Sequence, residues 1–218
     1  MSLSTGVNSL VQTGKVTGID GNNYKTVKIG NQWWIAENLN VDHYRNGDPV
    51  TQVQDPEKWA NLTTGAWCYY DNDPANGNKY GKLYNWYAVN DSRNIAPKGW
   101  HVPSNAEWQT LLDYLGGSSV AGGKLKETGT SHWNSHNTDA TNESGFAALP
   151  GGYRSSGGGY YFIRSHAYFC SSTEYDSDHA WYRALDYNYS AVYCHYFNKR
   201  NGFSVRCVMD STTTEKRN

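Results

Sequence analysis

Residues 103–117, PSNAEWQTLLDYLGG, narrow what this chain can fold into more than any other stretch. Ser104 is placed to cap a helix, and Glu107, three residues on, closes a capping box. Trp108, Leu111, Leu112 and Leu115 then share one helical face, and Gly116 ends it. Only Lys82 to Asn90 carries a comparable spacing, with Leu83, Trp86 and Val89 on one side. The rest alternates or has no period. Residues 14–41 read as a β-meander with turns at Asp20-Gly21 and Gly30-Asn31. GAWCYY (65–70) reads as a strand and DNDPANGN as the loop after it, while residues 42–64 and 118–160 read as irregular. From Tyr168 onward YFCSSTEY, AWYRALDY, SAVYCHYF and GFSVRCVM read as strands. Strands, two helices, a long loop and strands again imply an α+β fold, two helices beside twisted antiparallel sheets. Its 218 residues suit one domain, 14–210, with 1–13 as an extension and 211–218 as a flexible tail.

Composition removes several function classes. Nineteen basic against twenty acidic residues leave a net charge of −1, which speaks against nucleic acid as the partner. No apolar run reaches the ~20 residues that span a bilayer, so membrane insertion is not expected. The opening MSLSTGVNSLVQTGKV lacks a basic start and an apolar segment, so no signal peptide is expected in it. Cys68, Cys170, Cys194 and Cys207 form no CxxC and no zinc-like spacing. DNDPANGN fails as a calcium loop, because Gly77 is not sixth from Asp71 and no glutamate stands twelfth. His43, His101, His132, His136, His166, His179 and His195 show no spacing suited to a metal or to a nucleophile and its base. The expectation is a protein without catalytic residues, metal or cofactor.

The aromatics point elsewhere. Ten of the 18 tyrosines lie between Tyr153 and Tyr196, so the aromatic content is concentrated where the strands are. In AWYRALD, Trp181, Arg183 and Leu185 fall on one face and Tyr182, Ala184 and Asp186 on the other. If Trp181 and Leu185 face inward, Tyr182, Ala184 and Asp186 face out, and YNYSAVYCHYFN continues that surface. Tyrosine combines large contact area with few rotatable bonds and a hydroxyl, which suits recognition. Trp108, Leu111, Leu112, Leu115, Trp181, Leu185, Phe203 and Val205 are expected in a single core.

GNQWWIAENLN, GAWCYYDND, YGKLYNWYAV, GWHVPSNAEWQTLLDYLGG, AGGKLKETGT, NESGFAALPGGYR, SSTEYDSDHAWYRALDYN and GFSVRCVMD together resemble the Fibrobacter succinogenes major paralogous (FISUMP) domain over roughly residues 14–210. The resemblance implies a C-type-lectin-like fold, mostly exported or surface-located bacterial proteins, and in general no enzymatic activity. It also implies distant likeness to the formylglycine-generating oxidases, whose cysteine pair makes Cys170 and Cys194 residues to follow. Some such domains are variable proteins of diversity-generating retroelements, in which template adenines are copied with errors into the 3′ end of the gene. Asn codons altered at their adenines never yield Lys, Gln, Glu, Met or Trp, and residues 187–198, YNYSAVYCHYFN, contain none of these five. Cysteine at 170 and 194, where family members carry other residues, fits the same reading.

The expected function is therefore a receptor- or adhesin-like binder of a protein or surface ligand, bacterial or phage-borne, its variable face spanning about 165–206. The ligand face is expected to comprise Tyr182, Ala184, Asp186, Tyr187, Tyr189, Ala191, Tyr193, Cys194, His195, Tyr196 and Phe197. Arg200 and Asn201 would add rim contacts, with His166, Cys170, Asp178 and His179 at the margin. The alternatives are a fixed structural surface module and, third, a fold-related oxidase. Cys68 and Cys207, in family-like strands, are candidates for a disulfide or for two buried thiols. The sequence leaves ligand and oligomeric state open.

Overall fold

A computed structural model describes residues 11–211. Most of the expected extension and tail, residues 1–10 and 212–218, lies outside the described residues. The meander forms as its turns require. β1 (Thr13–Thr17) and β2 (Asn23–Ile29) flank a turn in which Gly21 takes φ 78°, and β3 (Gln32–Ile35) follows the Gly30 turn. β2 buries Tyr24, Val27 and Ile29.

The next stretch holds more regular structure than its sequence suggests: β4 (Thr51–Gln52), α1 (Pro56–Ala60), β5 (Ala66–Cys68), α2 (Pro74–Tyr80), β6 (Leu83–Tyr84), α3 (Trp86–Val89) and β7 (Trp100–His101). The segment read as one helix from Lys82 to Asn90 is a strand followed by a single helical turn. Leu83 and Tyr84 pair with Cys68 and Trp67, and the Asn85 side chain accepts from the Ala88 amide to start the turn. α1 and α2, read as irregular, both begin at an aspartate cap followed by proline, Asp55-Pro56 and Asp73-Pro74. They are too short for a periodicity to show.

α4 (Asn105–Tyr114) is the capping-box helix, with Ser104 and Glu107 reciprocally bonded and Trp108, Leu111 and Leu112 buried. α5 (Ser118–Leu125) occupies part of the segment read as loop; its buried side is Ala121, Gly122, Gly123 and Leu125, too small to register as a hydrophobic stripe. β8 (Gly151–Arg154), β9 (Tyr160–Ile163), β10 (His166–Glu174), β11 (His179–Asp186), β12 (Val192–Asn198) and β13 (Val208–Met209) follow.

Among the described residues the strands form three sheets, ordered β1-β2-β3-β13-β7, β12-β11-β10-β8-β9 and β4-β5-β6. The architecture is mixed α+β, as expected. The core is not single. Tyr168, Tyr182, Ala184, Phe203 and Val205 belong to one buried cluster, while Trp108, Leu111, Leu112, Leu115, Phe169 and Leu185 belong to another. The central strands β10 and β11 thus separate two apolar clusters and are covered on both faces. Trp181 enters neither cluster and stays half-exposed. Among the described residues, no helix is long and apolar enough to cross a membrane.

Candidate functional site: the β12 edge and its aromatic neighbours

β12 is the last strand of its sheet and pairs antiparallel with β11, Val192 opposite Leu185 through Asn198 opposite His179. Cys194 and Tyr196 therefore share a face with Arg183 and Trp181, whereas Tyr193, His195 and Phe197 share the opposite face with Ala184, Tyr182 and Ala180. Tyr193, Cys194 and His195 are exposed in succession, so both faces of the strand meet solvent there. The expected surface is split over two faces of an edge strand.

On the His195 face the rings run inward to the core. Phe197 stacks on Tyr182 at 5.2 Å, Tyr182 approaches Tyr168 at 5.7 Å, and Tyr168 lies against His166 at 5.7 Å and Tyr153 at 4.9 Å. Phe162 continues from His166 at 4.7 Å, beside Tyr161. On the other face Tyr196 stacks on Tyr175 with centroids 3.8 Å apart, and Trp181 meets Tyr175 edge-on at 5.2 Å.

Four expected contact residues are corrected. Tyr182 (9% exposed), Ala184 (4%), Cys170 (3%) and Asn201 (4%) are buried. Phe203 and Tyr168 cover the face of β11 that the alternation placed in water, because this strand is central rather than solvated on one side. Asn201 is framework: its Oδ1 accepts from the Ser156 amide at 2.7 Å, and neighbouring Arg200 donates to the Ala60 carbonyl at 2.8 Å. Tyr189, Asp178, Tyr193, Cys194 and His195 are exposed, and Asp186, Tyr187, Ala191, Tyr196, Phe197, Arg200, His166 and His179 are half-buried. Tyr153, Tyr161, Phe162, Tyr175 and Trp181 join the aromatic surface although they were not expected there. The aromatic runs flanking SSGGG (155–159) were the available signal for the β8–β9 hairpin. At the tip leading into β10, Phe162 and Arg164 adopt left-handed φ of 65° and 66°, a conformation that costs ~1–2 kcal/mol per bulky residue.

The backbone approaching β12 is held by groups that ignore its side chains. Lys126, fully buried, donates to the carbonyls of Thr138 (2.9 Å), Asp186 (3.0 Å) and Tyr189 (3.0 Å), and burial pushes its ammonium down to about 8. The Tyr187 amide and carbonyl bond Ser165 O and the Thr138 amide, and Ser190 O accepts from Gly123. Gly122 lets α5 lie against this segment, since a Cβ there would meet the Ser190 and Ala191 carbonyls at 2.7 Å. The same device recurs in Arg154, bonded to the Val53, Gln54 and Gly158 carbonyls, and Arg206, bonded to the Ile35, Phe146 and Ala147 carbonyls.

His166 lies 3.2 Å from Asp186; burial depresses its pKa against the pull of that carboxylate. All four cysteines are free thiols, so the Cys68–Cys207 bond is not made. Cys68 sits in the small third sheet's cluster and Cys207 in the large one containing Tyr182. Cys170 and Cys194 fall on opposite faces of their sheet, by their register with Tyr182 and Arg183.

Elsewhere, Asp20, Asp42 and His43 come within 4.8 Å of one another, a grouping with no sequence signal. His43 Nδ1 lies 2.6 Å from Asp20 and 2.8 Å from Asp42, and Lys82 Nζ lies 3.6 Å from Asp42, which is the charge pattern of an ion-pair cluster. An open cleft of about 440 Å³ is lined by Asn22, Lys25, Glu37, Lys79 and Glu127 among others, and by none of the expected contact residues.

The model of the Fibrobacter succinogenes major domain matches residues 27–209. No curated protein and no solved structure matches the chain.

Proposed function

The chain belongs to the Fibrobacter succinogenes major domain family, and from that premise we propose that it is a non-enzymatic ligand-binding protein displaying a diversified aromatic strand on a C-type-lectin-like scaffold. One observation carries the reading. Tyr193, Cys194 and His195 are exposed on both faces of a strand whose approach is fixed through main-chain carbonyls by Lys126 and through main-chain bonds by Thr138, Ser165 and Gly123. Such a backbone keeps its course whichever side chains it carries, which is what a face open to replacement needs. Exposed substitutions usually shift stability within roughly ±0.5 kcal/mol, whereas core truncations cost ~2–5 kcal/mol. The absence of Lys, Gln, Glu, Met and Trp from 187–198 matches the products of adenine-directed errors at Asn codons. Tyr189, Tyr193 and Tyr196 supply contact area, while Tyr161 and Phe162, exposed on β9 at the other end of the sheet, lie outside the expected variable window.

The test pairs binding with the neighbouring DNA. The chain and a Tyr193→Ser, His195→Ser, Tyr196→Ser variant are screened on one array of purified bacterial surface proteins and glycans. The expected result is binding that the variant loses while its melting temperature holds. Binding that survives the triple change, or no adenine-rich near-copy of the coding sequence for residues 165–206 beside the gene, would turn the assignment toward a fixed surface module.

A further inference from the structure

β12 ends its sheet without the charges, proline or short length that usually close an edge. Within residues 187–198 there is no Asp, Glu, Lys, Arg or Pro, and the strand itself runs seven residues. In an antiparallel pair, alternate residues turn their N–H and C=O toward the partner strand or away from it. The Lys199 amide donates to Asp178 O at 2.8 Å, which makes that the bonded phase of the β11–β12 ladder. The Cys170 amide, opposite Tyr182 on the other side of β11, donates away from β11 to Ser204 O at 3.1 Å, which sets the same phase. Tyr193, His195 and Phe197 thus exchange bonds with β11, while Cys194 and Tyr196 aim their main-chain groups outward. The Tyr196 carbonyl accepts from the neighbouring His195 ring at 3.1 Å. Among the described residues, no main-chain bond from outside the β11 ladder reaches the Cys194 amide or carbonyl or the Tyr196 amide.

We propose that this edge pairs antiparallel with the same edge of a second copy of the chain, joining two five-stranded sheets across a twofold axis. An antiparallel strand edge is complementary to itself, and an uncharged strand does not repel its copy. With the axis at His195, Cys194 exchanges main-chain bonds with Tyr196 of the second copy, and Tyr193 stands opposite Phe197 of the second copy as an aromatic cross-strand pair. The pairing consumes main-chain groups and leaves the side chains on both faces available. It presents two recognition strands side by side and tolerates replacement of their side chains. It is read from association alone, so its failure is separable from that of the ligand-binding reading.

Sedimentation of the intact chain in reductant, over a range of concentrations, tests it. The expected result is a concentration-dependent monomer–dimer equilibrium, with slow hydrogen exchange at the Cys194 and Tyr196 amides in concentrated solution that becomes fast on dilution. Cys194→Pro and Tyr196→Pro remove only outward-facing amides of the backbone and are expected to leave folded monomers, while Cys194→Ser and Tyr196→Ser keep the dimer. A wild-type chain that stays monomeric with both amides exchanging fast overturns the proposal and leaves the edge to another protein's extended segment or to solvent. A dimer that persists in both proline variants also overturns it. Should the proline variants unfold, the wild-type exchange at these two amides decides alone.

Discussion

Tyr182 and Tyr193 are both tyrosines on adjacent strands, on the same side of one sheet, yet one is 9% and the other 45% exposed. The difference is what lies over them: Phe203, Phe197 and Tyr168 surround Tyr182, whereas the ring paired with Tyr193 is Tyr189, with centroids 6.4 Å apart. Tyr182→Ala is therefore expected to destabilise by about 3–5 kcal/mol in denaturant titrations, as large aromatic truncations in a core do. Tyr193→Ser with His195→Ser is expected to stay within about 1 kcal/mol of the parent, two surface changes of ordinary size. Phe197 belongs with the first class, since it is packed against the core cluster. The thiols sort by the same logic. Burial pushes Cys68 up to about 11 and Cys207 up to about 12, and Cys170 is buried too, while Cys194 is exposed. A thiol reagent at neutral pH should titrate one cysteine in the folded chain and four after unfolding. Two or more fast thiols in the folded chain would contradict the burial of the other three.

At the scale of elements, the best-determined joint is the start of α4. Glu107 accepts from Ser104 and from His101 Nε2 at 2.7 Å, while His101 Nδ1 lies 2.6 Å from Asp210 just after β13. Burial would raise the Glu107 carboxyl, but the bonds from His101 and Ser104 outweigh it and hold it at about 2. His101 is raised above its ordinary 6.5 by its bond to Glu107, against burial. The depressed carboxylate contributes stability that is present above its ordinary 4.5 and is lost as pH falls toward about 2. The raised histidine contributes below 6.5 and loses its contribution as pH rises through its folded value. The clamp is therefore strongest between the two ordinary values. His101→Gln should lower the melting temperature within that interval and flatten its fall below pH 4.5 and above pH 6.5, and an unchanged profile would show that the clamp carries no weight. At α5, Gly122→Ala would drive a methyl into two carbonyls and is expected to cost ~1–3 kcal/mol while displacing residues 190–191. Of the elements, α4 and the meander were legible because capping and alternation are local signals. α1 and α2 carried the signal in their Asp-Pro starts but lay below the length at which a period shows. α5 was hidden because its buried side is alanine and glycine.

For the whole molecule, the sequence by itself determined the α+β class, the family, the capped helix, the hairpin turns and the concentration of tyrosine near the C-terminal end. It also determined which residues of β12 share a face, since alternation is a property of the strand. Which of those faces is wet was decided only by tertiary structure. Alternation assigns two faces but assumes that one meets water, and β11 lies between two apolar clusters, so Tyr182 and Ala184 are covered and Trp181 is half-open. The same assembly places β12 at the sheet's end, where both of its faces are open at Tyr193–His195. It also brings Tyr175 against Tyr196 and Tyr153 against Phe197, pairs distant in sequence. Neighbours across a sheet are set by strand order, and strand order is a long-range choice among pairings that no local pattern encodes.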